Sequence, residues 1–154
     1  MSTENLVDQY FSWLKSKTAW RDINGWTEIT TPYLDRHNDY IQIYLRQNGD
    51  EWELTDDGET LTDLIQSGFE LDTLRFKALL QTTLNRFGMH LANGAITVKT
   101  KKDSFALRKH NLIQAILAVN DLFCQITIDD EMEQIVAKVA EGAKPTARAN
   151  EWGI

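Results

Sequence analysis

Two Asn-Gly pairs constrain this chain most. Asn48-Gly49 and Asn93-Gly94 each stand between segments of alternating apolar and polar residues, where Asn-Gly supplies the positive-φ corner of a tight hairpin. Before the first pair, Asp39–Arg46 places Tyr40, Gln42 and Tyr44 on one face and Ile41, Ile43 and Leu45 on the other. After it, Glu51–Thr55 returns with Trp52 and Leu54 toward a core and Glu51, Glu53 and Thr55 outward. Trp26–Thr31 reads as a third strand ended by Pro32, which cannot donate to a ladder. These three form an antiparallel meander. Residues 89–99 form a separate hairpin around Asn93-Gly94.

Helical spacing fills the remainder. Thr3–Trp20, with Thr3 as N-cap, carries Leu6, Val7, Tyr10, Phe11, Trp13 and Leu14 on a face expected to be buried, and Asn24-Gly25 breaks the pattern after it. Thr60 begins a short helix with Leu61, Leu64 and Ile65 on its apolar side, stopped at Gly68. Leu71–Phe87 is a second helix, with Phe76, Leu80, Leu84 and Phe87 along one face. A long helix runs from about Phe105 to Phe123, and Gln125–Ile128 interrupts or extends it. Asp129 or Asp130 then caps a last helix with Met132, Ile135, Val136 and Val139 inward. The fold class is therefore α+β in a single domain: N-terminal helix, three-strand meander, two helices, hairpin and long C-terminal helix. Its expected limits are 1–128 for the domain, 129–142 for a helical extension and 143–154 for a flexible tail containing Trp152.

Composition narrows the function classes. The chain has 154 residues, 42% hydrophobic, with 16 Lys+Arg against 23 Asp+Glu and a net charge of -7, which disfavours nucleic-acid and anionic-membrane binding. The longest unbroken apolar run, Ala115–Val119, is too short to point to a membrane span, and the charged, amphipathic first twenty residues do not resemble a secretory signal. A single cysteine, Cys124, excludes a disulfide framework within the chain and fits a reducing, cytoplasmic compartment; its place beside the long helix's apolar stripe predicts burial. Periodicity places Trp13, Trp20, Trp26 and Trp52 as core anchors. His110, among Arg108, Lys109 and Asn111, belongs to a solvated helix face.

The candidate chemistry is acidic. Residues 1–70 hold 14 acidic and 5 basic side chains, whereas residues 71–154 hold 9 acidic and 11 basic ones. Seven acids fall within fourteen positions, Asp50–Asp63, and of these Glu51, Glu53, Asp56, Asp57, Glu59 and Asp63 form the candidate protein-binding surface. The same density admits a metal-dependent nucleic-acid enzyme built on Asp39, Glu53, Asp56 and Asp57. A nuclease of the restriction type, however, needs an acid-x-Lys strand, and Glu51-Trp52-Glu53 is followed by Leu54-Thr55. His37, His90 and His110 lack metal-ligand spacing, the acids around Gly58 lack calcium-loop spacing, and no Gly-rich phosphate loop occurs. Neither metal nor cofactor is called for.

Trp26-x-Glu28-Ile29-x-Thr31-Pro32, Asp39-Tyr40-Ile41-x-Ile43-Tyr44 and Leu54-Thr55-Asp56-Asp57-Gly58-x-Thr60-Leu61-x-x-Leu64 resemble a bacterial domain family, DUF1828. Arg75, Leu84, Phe87-Gly88, Phe105-Ala106 and Asn111–Ile116 are similar as well, so the resemblance covers roughly residues 5–125. It implies a small α+β domain of bacterial chromosomes, prophages and mobile elements, with no catalytic residues to carry over. In that setting the acids suggest a non-enzymatic module of anti-defence type that binds a host protein, such as a nuclease or another nucleic-acid-binding protein. Carboxylates there imitate a phosphate backbone. No direct contact to nucleic acid or membrane is expected. Homodimer formation, and a plain oligomeric scaffold with a solvated acidic face, stay open.

Overall fold

The computed structural model describes residues 2–143. Six antiparallel strands form one sheet in the order β1-β2-β3-β4-β6-β5: β1 Ala19–Ile23, β2 Trp26–Leu34, β3 Tyr40–Asn48, β4 Glu51–Thr55, β5 His90–Ala92 and β6 Ala95–Thr100. The helices are α1 Thr3–Ser16, α2 Glu59–Gln66, α3 Leu74–Arg86 and α4 Phe105–Ala143. The class is α+β. The meander is present as β2-β3-β4, and β5-β6 joins the same sheet through β6 beside β4. By contact the chain divides into two compact units, Met1–Asp121 and Leu122–Ile154.

The sheet begins sooner than the sequence suggests. Asn24 (φ 50°) and Gly25 (φ 83°) form a third tight hairpin, pairing Ile23 with Trp26, where a simple break was expected. Thus α1 stops at Ser16 and Trp20 belongs to β1. Ser2, not Thr3, is the N-cap and accepts from the Asn5 amide at 3.3 Å, while the Thr18 hydroxyl donates to the Leu14 carbonyl at the other end. No residue of α1 is buried, contrary to the amphipathic reading: Leu6, Val7, Tyr10, Phe11 and Trp13 are 47 to 59% exposed. Trp20 is exposed as well, and Trp26 and Trp52 are only half-buried, so none of the four tryptophans anchors the core.

Pro32 does not end β2. The register with β3 shifts between Thr30 and Leu34, so Pro32 sits in an irregularity where the ladder needs no donor from it. Thr31, 1% exposed, bridges the gap: its hydroxyl donates to the Ile41 carbonyl at 2.7 Å and accepts from the Tyr33 amide at 3.3 Å. The core then builds on one sheet face. Ile29, Ile41, Ile43, Leu54, Ile96 and Val98 alternate onto it and are buried, along with Leu61, Leu64, Phe76, Leu80 and Leu84 of α2 and α3 and Leu112, Ile116 and Val119 of α4. Ile65, expected on the apolar side of α2, is exposed. Thr73 caps α3 by accepting from the Phe76 amide at 3.1 Å, so that helix starts after the expected Leu71.

The two expected C-terminal helices are one. Nothing in Gln125–Ile128 breaks a helix, and α4 continues through Asp129 and Asp130, which are interior residues and not caps. Met132, Ile135, Val136 and Val139, expected inward, are exposed; so is Cys124, whose helical phase falls just outside the arc that Leu112, Ile116 and Asn120 bury. By length and composition the helical stretch Lys102–Gly142 could cross a bilayer, a length the short apolar run did not anticipate. Its apolar side chains from Leu112 to Val119, however, belong to the protein core. Residues 144–154, including Trp152 and most of the expected tail, lie outside the described residues.

Candidate binding face

Asp56 follows β4 directly and is 1% exposed, so it is not a surface carboxylate. Its Oδ1 accepts from the amides of Gly58 (2.9 Å) and Ile96 (2.9 Å), and its Oδ2 accepts from the Thr60 amide at 3.2 Å. Gly58, the residue preceding α2, brings no side-chain cap, so Asp56 satisfies the helix's first amides and ties them to β6. Thr55, expected to point outward into water, is buried beside this turn and accepts from the Asp57 amide at 3.1 Å.

The other acids separate. Asp63 pairs with Arg36 Nη2 at 2.9 Å and His37 Nε2 at 2.8 Å, and Arg36 also donates to the Ser67 hydroxyl. Glu53 pairs with Arg46 at 2.9 Å across β3 and β4, and that guanidinium lies 4.3 Å from the Trp26 ring centroid. Glu51 lines a hollow of about 310 Å³ with Lys99, Lys101 and Arg108, among cations and not among acids. The candidate surface residues therefore do not form one solvent-facing array.

What the sheet does assemble is a polar row that sequence reading missed. Register places Arg21, Glu28, Tyr44, Thr55 and Thr97 side by side on the face opposite the core. Arg21 Nε donates to the buried Glu28 at 2.9 Å, while the Tyr44 hydroxyl lies 3.3 Å from Glu28 Oε2 and 2.8 Å from Glu59 Oε1. Burial, with the hydrogen bond and charge of Glu59 and then Glu28, pushes the Tyr44 phenol well above its ordinary value. Glu59 is also raised, chiefly by burial and then by the charges of Asp56 and Asp57, against the opposing hydrogen bond from Tyr44. The only sequence signal for this row was the shared parity of Glu28 and Tyr44 in neighbouring strands.

Beside the row lies a hollow of about 160 Å³ lined by Ile23, Asn24, Trp26, Tyr44, Thr55 and Asp57. Asp57 is exposed, holds a left-handed backbone (φ 57°), and its carboxylate makes no hydrogen bond or ion pair among the described residues. The hollow thus offers an aromatic wall, a tyrosine backed by two carboxylates and one uncommitted anion, a setting for a cationic side chain.

The alternative metal set does not converge. A separate cavity of about 50 Å³ gathers Asp35, Asp56, Glu59 and Asp63, but not Asp39, Glu53 or Asp57. Among the described residues no group of three or more His, Cys, Asp or Glu is placed to hold a metal ion.

No curated protein and no solved structure matches this chain. The family model for a domain of unknown function, DUF1828, matches residues 31–119, which run from the irregular end of β2 through the Asp56 turn and the hairpin to Val119 of α4. With more than half of its length matched, the chain belongs to the DUF1828 family.

Proposed function

We propose that this chain is a non-enzymatic protein-binding module that takes a basic side chain of its partner into the hollow between Trp26, Tyr44 and Asp57. One observation carries the reading. Asp57 and Glu51 are the candidate carboxylates with no hydrogen bond or ion pair among the described residues, and of the two it is Asp57 that lines an aromatic-walled recess, of about 160 Å³, while Glu51 sits among cations. An arginine or lysine entering there gains a charge-assisted bond from Asp57 and packs beside Trp26 and Tyr44, next to the Arg46 guanidinium that already lies over the Trp26 ring. The electrostatic logic of the acidic stretch is kept, but concentrated at one residue. Prophages and mobile elements, the setting implied by the family resemblance, make a cytoplasmic host defence or DNA-processing protein the fitting partner, since such proteins present basic grooves to phosphate.

Affinity capture from a bacterial host lysate, read by mass spectrometry and repeated by titration with the captured partner, tests this. Asp57→Asn keeps a residue that tolerates the left-handed backbone and should weaken binding about tenfold. Trp26→Ala should weaken it similarly, and Glu51→Gln should leave it unchanged. Equal capture by wild type, Asp57→Asn and Trp26→Ala would remove this face as the interface.

A further inference from the structure

A second, larger groove lies within residues 11–113, lined by α1, β1, β2 and the start of α4, and has a volume of about 380 Å³. Phe11, Trp20 and Phe105 give it aromatic walls, and Lys15, Lys109 and His110 give it cations. Among the described residues no acidic side chain lines it, although the chain carries 23 acids against 16 Lys+Arg. Phe11 and Trp20 remain 59% and 68% exposed, a large aromatic surface left in water. Lys109 is held below its ordinary pKa by burial, so its ammonium has lost hydration that an anionic partner would replace.

The chain carries a segment of complementary chemistry. In α4 beyond residue 121, Ile128, Met132, Ile135, Val136 and Val139 are 54 to 68% exposed. Their four- and three-residue spacing puts them on one stripe, and at 3.6 residues per turn Glu131 and Glu133 border that stripe on opposite sides. Residues 122–143 hold five acids against one base, Lys138. An acidic amphipathic helix and a basic aromatic groove are the two halves of a helix-in-groove contact. Copies related by a two-fold axis would each supply both halves, which closes the assembly at two.

We propose that the acidic C-terminal half of α4 from one copy occupies the α1–α4 groove of a second copy, forming a symmetric dimer. The stripe packs its apolar side chains on Phe11, Trp20 and Phe105 while its bordering glutamates face Lys15 and Lys109. This contact is separate from the Asp57 hollow, and neither depends on the other.

The test mixes equal amounts of ¹⁴N- and ¹⁵N-labelled full chain, couples amines to carboxylates at zero length, and reads mass by light scattering and linkage by mass spectrometry. A dimer is expected, with mixed-isotope links joining Lys15 or Lys109 to Glu131 or Glu133. Phe11→Glu and Ile135→Glu change exposed positions, so each should return a folded monomer whose thermal midpoint matches that of wild type diluted until it dissociates. A monomeric wild type overturns the proposal, as do links confined to one chain. A dimer lost in Ile135→Glu but kept in Phe11→Glu overturns it too, since the stripe would then be pairing with something other than the groove.

Discussion

The Asp56 carboxylate does at one position what most proteins distribute over a cap and a ladder. It accepts three backbone amides from two elements while almost wholly removed from water. Asp56→Ala leaves those amides without the acceptor, at about 1–3 kcal/mol for each that stays dry. Urea unfolding should therefore show a loss of about 3 kcal/mol or more at an unchanged slope. Asp56→Asn turns an amide donor toward one of the three N–H groups and should lose less. Glu59 gives a pH-dependent counterpart. Its folded-state pKa is raised, so the native protein binds more protons than the unfolded chain in the window from the ordinary glutamate value of 4.5 up to the raised one. Stability from this group therefore falls as pH rises through that window, and the difference between wild type and Glu59→Gln should shrink below it. A series of thermal midpoints from pH 4 to 7 checks the sign. The density of acids was legible in the sequence, but their destinations were not. Arg36, His37 and Arg46 meet Asp63 and Glu53 only through strand register and tertiary packing, which spacing along the chain does not encode.

At the scale of elements, what was legible was local. Asn48-Gly49 and Asn93-Gly94 specify their own turns and are flanked by clear alternation, so both hairpins follow from a few residues. Asn24-Gly25 has the same chemistry but opens onto β1, an edge strand exposed at four of its five positions, where no buried face imposes alternation. The continuity of α4 was hidden for a related reason. Asp129-Asp130 has the composition of a cap, but a cap forms only where a helix must start, and no glycine or proline stops the one already running. Pro32 misled in the opposite direction, because Thr31 takes over the bonding that the proline cannot supply. Thr31→Val keeps the shape and removes the hydroxyl, leaving the Ile41 carbonyl and the Tyr33 amide without that partner. A loss of about 1–3 kcal/mol is expected. It should be accompanied by faster amide exchange confined to the Thr30–Leu34 irregularity, which two-dimensional NMR would locate.

Across the whole molecule, charge and burial divide differently. In the acidic first half three of the fourteen acids are paired, as Arg21–Glu28, Arg36–Asp63 and Arg46–Glu53, and Asp56 is buried, so the density of acids evident in the sequence does not become one continuous patch. Burial is uneven along one continuous helix. Leu112, Ile113, Ala115, Ile116 and Val119 are buried, whereas the stripe from Ile128 to Val139 is exposed. Helical hydrogen bonds alone protect weakly, because most helix stability in proteins comes from packing an apolar face. Amides around 112–119 should therefore exchange only with global unfolding, while those of 128–139 exchange through local opening in a dilute monomer. If the stripe is covered by a second copy, protection of 128–139 must grow with protein concentration, since opening then competes with association. Over about a hundredfold dilution series, hydrogen-exchange mass spectrometry should show slow, concentration-independent exchange at 112–119. At 128–139 protection should rise with concentration, in step with protection at Phe11 and Trp20. A rise at the stripe without a matching rise in α1 and β1 would place its cover elsewhere than the groove.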